Sequence, residues 1–250
     1  ASRGAGDAAA VAVSGVAERL RGALFYATFY GSMVVVGALF WLPAARSEAS
    51  AKRVAKAFFR TMVWLMRVIC GIRTEIRGAP PTGRALIAAK HQSMLDVFIL
   101  YAILPEARFV MKKELASAPI FGWYARRVGC VPVDRGGGKA ARESMIAAML
   151  RGSQGETQMV IYPQGTRVPP GRRKEYRSGV HGLYAATGLP CAPVATNAGA
   201  RLPRGLAARP GPAVVEFLRP IPPGMARGPF MAILEREMES ASDALLAEAP

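Results

Sequence analysis

Metal and disulfide chemistry have little to draw on in this chain. The three cysteines, Cys70, Cys130 and Cys191, lie far apart, are odd in number and form no C-x-x-C pair. That argues against a disulfide framework and a zinc site, and suits buried thiols in a reducing compartment. Two histidines, His91 and His181, are too few for a histidine-rich metal site. Acidic residues are also scarce: 17 Asp and Glu stand against 33 Lys and Arg, for a net charge of +16. Between Gly22 and Ala45 charge is missing altogether, and no internal repeat is present.

What the chain does have is oil and positive charge together. Its 250 residues suit one substantial α/β domain with a smaller appendage. Hydrophobic residues make up 51% of it, and mean hydropathy is +0.18. A basic, apolar chain fits an anionic surface that carries an oily phase, such as a phospholipid bilayer. Nucleic acid is the other usual partner of such charge, so placement must decide.

Placement favours the bilayer. Residues 1–14 are mostly small and read as a disordered tail. The uncharged run Gly22–Ala45 is long enough to cross a bilayer as a helix. It is too long for a signal-peptide core and is followed by no clear A-x-A site. Arg19 and Arg21 precede it, and Arg46, Lys52, Arg53 and Lys56 follow. Two basic flanks give no clean orientation; they fit a helix dipping into one leaflet, or a hairpin with both ends on the cytoplasmic side. Arg53, Arg60 and Arg67 then recur every seven residues, with Lys56 between, and form one stripe on a helix otherwise filled by residues such as Phe58, Phe59 and Met62. This is the pattern of an interfacial helix with its basic side towards headgroups. Residues 15–72 are therefore expected to form a membrane-associated two-helix hairpin.

From Arg73 onward short apolar runs alternate with amphipathic stretches. Strands are expected at 74–77, 85–89, 108–111, 129–133, 158–162, 191–196 and 213–217, and helices at 93–102, 119–127, 139–151, 180–187 and 229–248. Alternation of this kind predicts, over 73–250, an α/β domain with a mixed, mostly parallel sheet flanked by helices.

The chemistry gathers at strand ends. Ala85–Ala89 runs into Lys90-His91, and Ser93 can cap a helix in which Asp96 is the third residue. A five-residue separation does not stack two side chains on one helix face, so His91 meets Asp96 only if the cap turns the chain between them. A carboxylate on one ring nitrogen fixes the tautomer and leaves the other free to take a proton from a hydroxyl. Alone, H-x-x-x-x-D is a weak signal. Further along come Lys112-Lys113-Glu114-Leu115, Pro119-x-Phe121-Gly122-Trp123, Gly129 followed by Asp134-Arg135, Tyr162-Pro163-Gln164-Gly165-Thr166-Arg167, and the strand Pro190–Asn197.

In this order and spacing the series resembles the bacterial lysophosphatidic acid acyltransferases (1-acylglycerol-3-phosphate O-acyltransferases), over nearly the whole chain and most closely over 84–199. The resemblance implies the glycerolipid acyltransferase fold. It also implies that His91 is the general base, Asp96 its orienter, and Arg167 with Lys112 the grip on an acceptor phosphate; Lys113 is an alternative to Lys112. Arg135, Gln164, Gly165 and Thr166 complete the expected phosphate and glycerol site. The family pattern has Glu where this chain has Gln164. Natural tolerance, a subfamily with another acceptor and an engineered inactivating change all stay open; if that glutamate orients Arg167 or binds the glycerol backbone, activity here is low, and Gln164→Glu is expected to raise turnover.

The expected reaction moves an acyl group from acyl-CoA or acyl carrier protein to the sn-2 hydroxyl of lysophosphatidic acid, with no metal or other cofactor. Backbone N–H groups near His91 are the expected oxyanion donors. A lyso-ornithine lipid or another lysophospholipid stays open as acceptor, as does a catalytically silent lipid-binding role. The expected location is the cytoplasmic face of a bacterial inner membrane. Gly136–Lys139 lacks the Ser/Thr of a P-loop, and the basic cluster 167–177 has too few interleaved aromatics for nucleic acid, so neither partner is expected.

Overall fold

The computed structural model describes residues 2–151 and 155–248, with side chains from Ser14 onward. It opens with α1 (Ser2–Leu39), a short α2 (Trp41–Arg46) and α3 (Glu48–Cys70). The stretch expected as a disordered tail is helical from Ser2, continuous with α1. Its alanines have the strongest helix propensity of any residue, which overrides the impression made by small side chains. Ser47 caps α3 by accepting from Ser50 N, and Gly71 ends it in the left-handed region at φ 67°. α1 and α3 run antiparallel: Phe58 lies beside Phe29, and Cys70 at the far end of α3 lies against the Arg21 carbonyl.

The remaining elements are β1 (Ile72–Arg77), β2 (Ala85–Ala89), α4 (Met94–Ile103), β3 (Ala107–Lys112), a 3₁₀ turn (Lys113–Ser117), α5 (Pro119–Arg127) and β4 (Val131–Val133). After them come α6 (Gly138–Arg151), β5 (Gln158–Ile161), α7 (Gly179–Thr187), β6 (Cys191–Thr196), α8 (Ala198–Arg201), β7 (Gly211–Phe217) and α9 (Arg227–Ala247). The seven strands form one sheet in the order β1-β7-β6-β2-β5-β3-β4. Every neighbouring pair is parallel except β6–β7.

Strand alternation explains how the layers assemble. In β2, Ile87 and Ala89 join the core built with α1, α3 and α4, while Leu86 and Ala88 join the core built with α6, α7 and α9. A central parallel strand buried on both faces reads as an unbroken apolar run, which is what Ala85–Ala89 is. The helical hairpin is therefore not an appendage. Phe25, Met62 and Met66 are fully buried against the sheet domain, and α1 and α3 supply one of its covering layers.

The outer side of the hairpin is different. Leu20, Leu24, Val34, Val35, Leu39 and Trp64 stand more than half exposed. The span Ser14–Leu39 is long and apolar enough to cross a membrane, and only 22% of its most apolar window is buried, unlike the core helix of a water-soluble protein. The basic stripe on α3 is only partly turned outward. Lys56 donates to the carbonyls of Leu104 and Pro105, and Arg60 Nε donates to Ala102 O at 3.2 Å. These two cations thus close the carboxyl end of α4, where carbonyls lack partners and the helix dipole favours positive charge. The expectation that the whole stripe faces headgroups is corrected at Lys56, which is half-buried; Arg53, Arg60 and Arg67 stay exposed, although Arg60 spends its Nε on α4.

Candidate active site

Four neighbouring parallel strands, β2, β5, β3 and β4, deliver the sequence motifs to one edge of the sheet. His91 follows β2, Tyr162–Arg167 follows β5, Lys112 ends β3, and Asp134-Arg135 follows β4. Carboxyl ends of strands are where α/β sheets leave a crevice for ligands.

The His91 corner is fixed by local bonds. His91 Nδ1 lies 3.0 Å from Asp96 Oδ1. The other carboxylate oxygen accepts from Gln92 N at 2.7 Å and Ser93 N at 2.9 Å, while Ser93 Oγ accepts from Leu95 N and completes a capping box. One carboxylate thereby closes the helix N-terminus and orients the imidazole. Ser93 Oγ also donates to Leu202 O at 2.7 Å, which confirms its part as a structural cap. Because the N–H groups of Gln92 and Ser93 are used by Asp96, neither is free to hold an oxyanion. That removes these two from the expected donors near His91.

The imidazole rests on the Tyr162 ring, with centroids 4.1 Å apart and planes 23° from parallel. Tyr162 is buried, and its hydroxyl has no partner among the described residues. Burial, and next the Asp96 charge, push its phenol far above the usual range, so it stays neutral. From the other side, Val168 N donates to His91 O at 2.8 Å and ties the His91 turn to the β5 turn.

His91, Tyr162, Lys112, Arg135 and Arg167 share the wall of one cavity of about 480 Å³. The rest of its lining is apolar and comes largely from the hairpin, α4 and α5, including Phe29, Met33, Phe58, Phe98 and Ile120. The Arg167 and Arg135 guanidiniums have no hydrogen-bond or ion-pair partner among the described residues. Desolvation, then the charge of Arg177, lowers the Arg135 pKa, which marks a cation held partly out of water beside another cation. Lys112 reaches the cavity but is half exposed and pairs with Glu114 at 3.0 Å; Lys113 turns to Asp134 at 3.6 Å.

The remaining expected site residues stand behind this wall. Gly165 makes the turn at φ 66°, its N–H bonded to Tyr162 O, and a Cβ there would press on Arg177. Arg204 spans Thr166 Oγ1 and Arg167 O. Gln164 departs most from expectation. It is 1% exposed and points away from the cavity, donating from Nε2 to Glu239 Oε1 at 3.3 Å. The expected contact with Arg167 is not made, because the turn after β5 sends these two side chains to opposite sides. Glu239 itself, Lys90 and the Tyr162 stack were not assigned from sequence. A lone lysine at the end of an all-buried strand signals a hidden acid, but its partner is 149 residues away.

A profile described as Acyltransferase matches residues 71–197. The 1-acyl-sn-glycerol-3-phosphate acyltransferase of Pseudomonas aeruginosa is 33% identical over 199 residues, covering 78% of this chain and 77% of that protein. The enzyme of the same name from Cocos nucifera is 27% identical over 65% of this chain, a match spanning 53% of its own length. The lyso-ornithine lipid O-acyltransferase of Rhodobacter capsulatus is 32% identical over a shorter stretch, 39% of this chain and 34% of that one. Among solved structures, the 1-acyl-sn-glycerophosphate (LPA) acyltransferase PlsC from Thermotoga maritima superposes with a TM-score of 0.74 at 18% identity, covering 92% of this chain and 98% of that one. The chain belongs to the acyltransferase family that includes the 1-acyl-sn-glycerol-3-phosphate acyltransferases.

Proposed function

We propose that this protein acylates the sn-2 hydroxyl of lysophosphatidic acid to form phosphatidic acid, at the cytoplasmic face of a bacterial inner membrane. The observation that carries the reading is one cavity wall holding His91 beside two guanidiniums unpartnered among the described residues, with an apolar cavity behind it. Arg135 and Arg167 suit phosphate oxygens, since a guanidinium fork donates to two at once. The apolar part takes an acyl chain. His91 Nδ1 is committed to Asp96, so Nε2 takes the proton from the acceptor hydroxyl as that oxygen attacks the thioester carbonyl. Collapse of the tetrahedral intermediate expels the thiolate, which takes up the proton held on Nε2. Acyl-CoA and acyl carrier protein both supply such a thioester, and no acyl-enzyme is needed.

The test is acyl transfer in detergent micelles to a panel of acceptors, with both donors. Lysophosphatidate turning over fastest, with loss of that preference in Arg167→Ala, supports the reading. Preference for a lyso-ornithine lipid, or no transfer to any acceptor, overturns it.

A further inference from the structure

Beneath the two catalytic turns lies a second buried polar cluster. Lys90, adjacent to His91, is 2% exposed and pairs with Glu239 of α9, 3% exposed, at 2.5 Å. The same oxygen, Glu239 Oε1, also accepts from Tyr176 OH at 2.9 Å and from Gln164 Nε2 at 3.3 Å. Arg173 approaches the other oxygen at 3.6 Å, from a largely exposed position. Gln164 Oε1 has no partner among the described residues. Glu239 thus joins the end of β2, which carries His91, to the turn after β5, which carries Arg167.

The arrangement is balanced in charge. One fully buried cation faces one fully buried carboxylate, and Gln164 beside the carboxylate is neutral. A carboxylate at 164 would place a second negative charge within hydrogen-bond distance of Glu239 Oε1, with Lys90 still the sole fully buried cation of the cluster. We propose that Glu239 is a positioning residue that fixes the His91 turn relative to the Arg167 turn through Lys90 and Gln164. By this account Gln164 is neutral because the carboxylate of this site resides on α9. Gln164 then marks a relocated charge rather than an impaired enzyme. The inference rests on the acyl-transfer reading for its kinetic readout only.

The opposite charges around Glu239 come from Lys90 at the end of β2 and Arg173 in the loop before α7; Tyr176 is neutral, its phenol raised by burial and next by Glu239, and Asp243 and Glu235 on α9 are the nearby like charges. A carboxyl introduced by Gln164→Glu therefore retains its proton to higher pH than an ordinary one. While neutral it imitates the amide; once ionised it opposes Glu239.

The experiment is a double-mutant cycle on the full chain: wild type, Gln164→Glu, Glu239→Gln, and both together. Each single variant is expected to lose about tenfold or more in kcat, as small misplacements of reacting groups do, with little change in KM for the donor. Gln164→Glu should add an ionisation to the pH–rate profile, with activity falling as pH rises through it. The double variant restores one carboxylate for Lys90, and should recover most of the lost activity and lack that ionisation. Thermal melting of the four proteins gives the coupling independently of turnover, so an inactive wild type counts against the assigned reaction and not against the cluster. Losses that simply add, in melting temperature or in rate, overturn the proposal. So does a Gln164→Glu enzyme as fast as wild type across the pH range. If Glu239→Gln fails to fold alone, folding of the double variant still supports the pairing, and its failure to fold refutes it.

Discussion

The sheet edge and the helical hairpin build the two halves of one cavity by opposite means. At the edge the His91 corner is held by directed hydrogen bonds: Asp96 accepts from two backbone N–H groups and bonds His91, and Val168 holds the His91 carbonyl. The hairpin half is held by apolar contact, such as Phe29 on Phe98 at 5.1 Å and Phe59 on Tyr101 at 4.8 Å. The first kind of construction fixes reacting atoms to tenths of an ångström. The second is tolerant in shape, which suits a flexible acyl chain. One face of the hairpin thus completes the cavity while the other, with Val34, Val35 and Trp64 exposed, is left for lipid. Breaking one half should leave the other measurable, and the expected effects on turnover follow from largest to smallest.

The largest lies at the edge. His91→Ala removes the base and should lower kcat by about 10² to 10⁴ without changing melting temperature much. Wild-type turnover in that variant would end the mechanism. Asp96→Asn is milder in fold and nearly as severe in rate. An amide has one acceptor oxygen where three bonds are now made, so the imidazole loses its fixed tautomer; about a hundredfold loss in kcat is expected. Arg167→Ala should appear in KM for phosphate-bearing acceptors, by roughly ten- to a hundredfold, because a charged hydrogen bond contributes about 1.5–3 kcal/mol. An equal effect on a phosphate-free acceptor would show that Arg167 does something other than bind phosphate.

What could be read in the sequence follows the same division. The seven strands, the α4 cap and the His91–Asp96 pair depend on neighbours within a few residues, and each lies close to where alternation and capping rules place it. Distant partners were not legible. The α3 pattern showed a basic stripe, but nothing in it says that Lys56 and Arg60 meet the end of α4, some 40 to 50 residues on. Gln164 showed a departure from a family pattern, yet its physical meaning depends on Glu239, 75 residues away. Arg135 was one expected site residue among several. Only the cavity distinguishes it, with Arg167, as a cation unpartnered among the described residues.

The hairpin half should yield a change of specificity rather than a loss of chemistry. Gly37 of α1 lines the cavity, and a Cβ there would collide with the Ile120 side chain of α5. Gly37→Val would overfill this junction at ~1–2 kcal/mol and narrow the apolar end. Long-chain donors should then lose about tenfold in kcat/KM relative to short-chain donors, with His91 chemistry intact. A uniform loss across chain lengths would place the damage in folding, and would show that this end of the cavity does not hold the chain.

The smallest effect on turnover is expected from the outer cations of α3. Arg53 and Arg67 are exposed and make no bond to α4, whereas Arg60, also exposed, spends its Nε on Ala102 O and half-buried Lys56 its ammonium on the Leu104 and Pro105 carbonyls. Each should contribute about 1 kcal/mol of attraction to an anionic leaflet, a term that salt screens. The apolar surface of Leu24, Val34, Val35 and Trp64 contributes an attraction that salt leaves in place. Changing both arginines to glutamine should therefore weaken binding to anionic vesicles at low salt by roughly thirtyfold, and leave binding to neutral vesicles and turnover in neutral micelles unchanged. High salt applied to the unaltered protein should mimic the double variant and should not release it from vesicles. Complete release by salt would mean that the exposed apolar face does not enter the bilayer. A loss of turnover in neutral micelles would mean that these arginines also support the cavity, and the separation of the hairpin into an inner and an outer face would not hold.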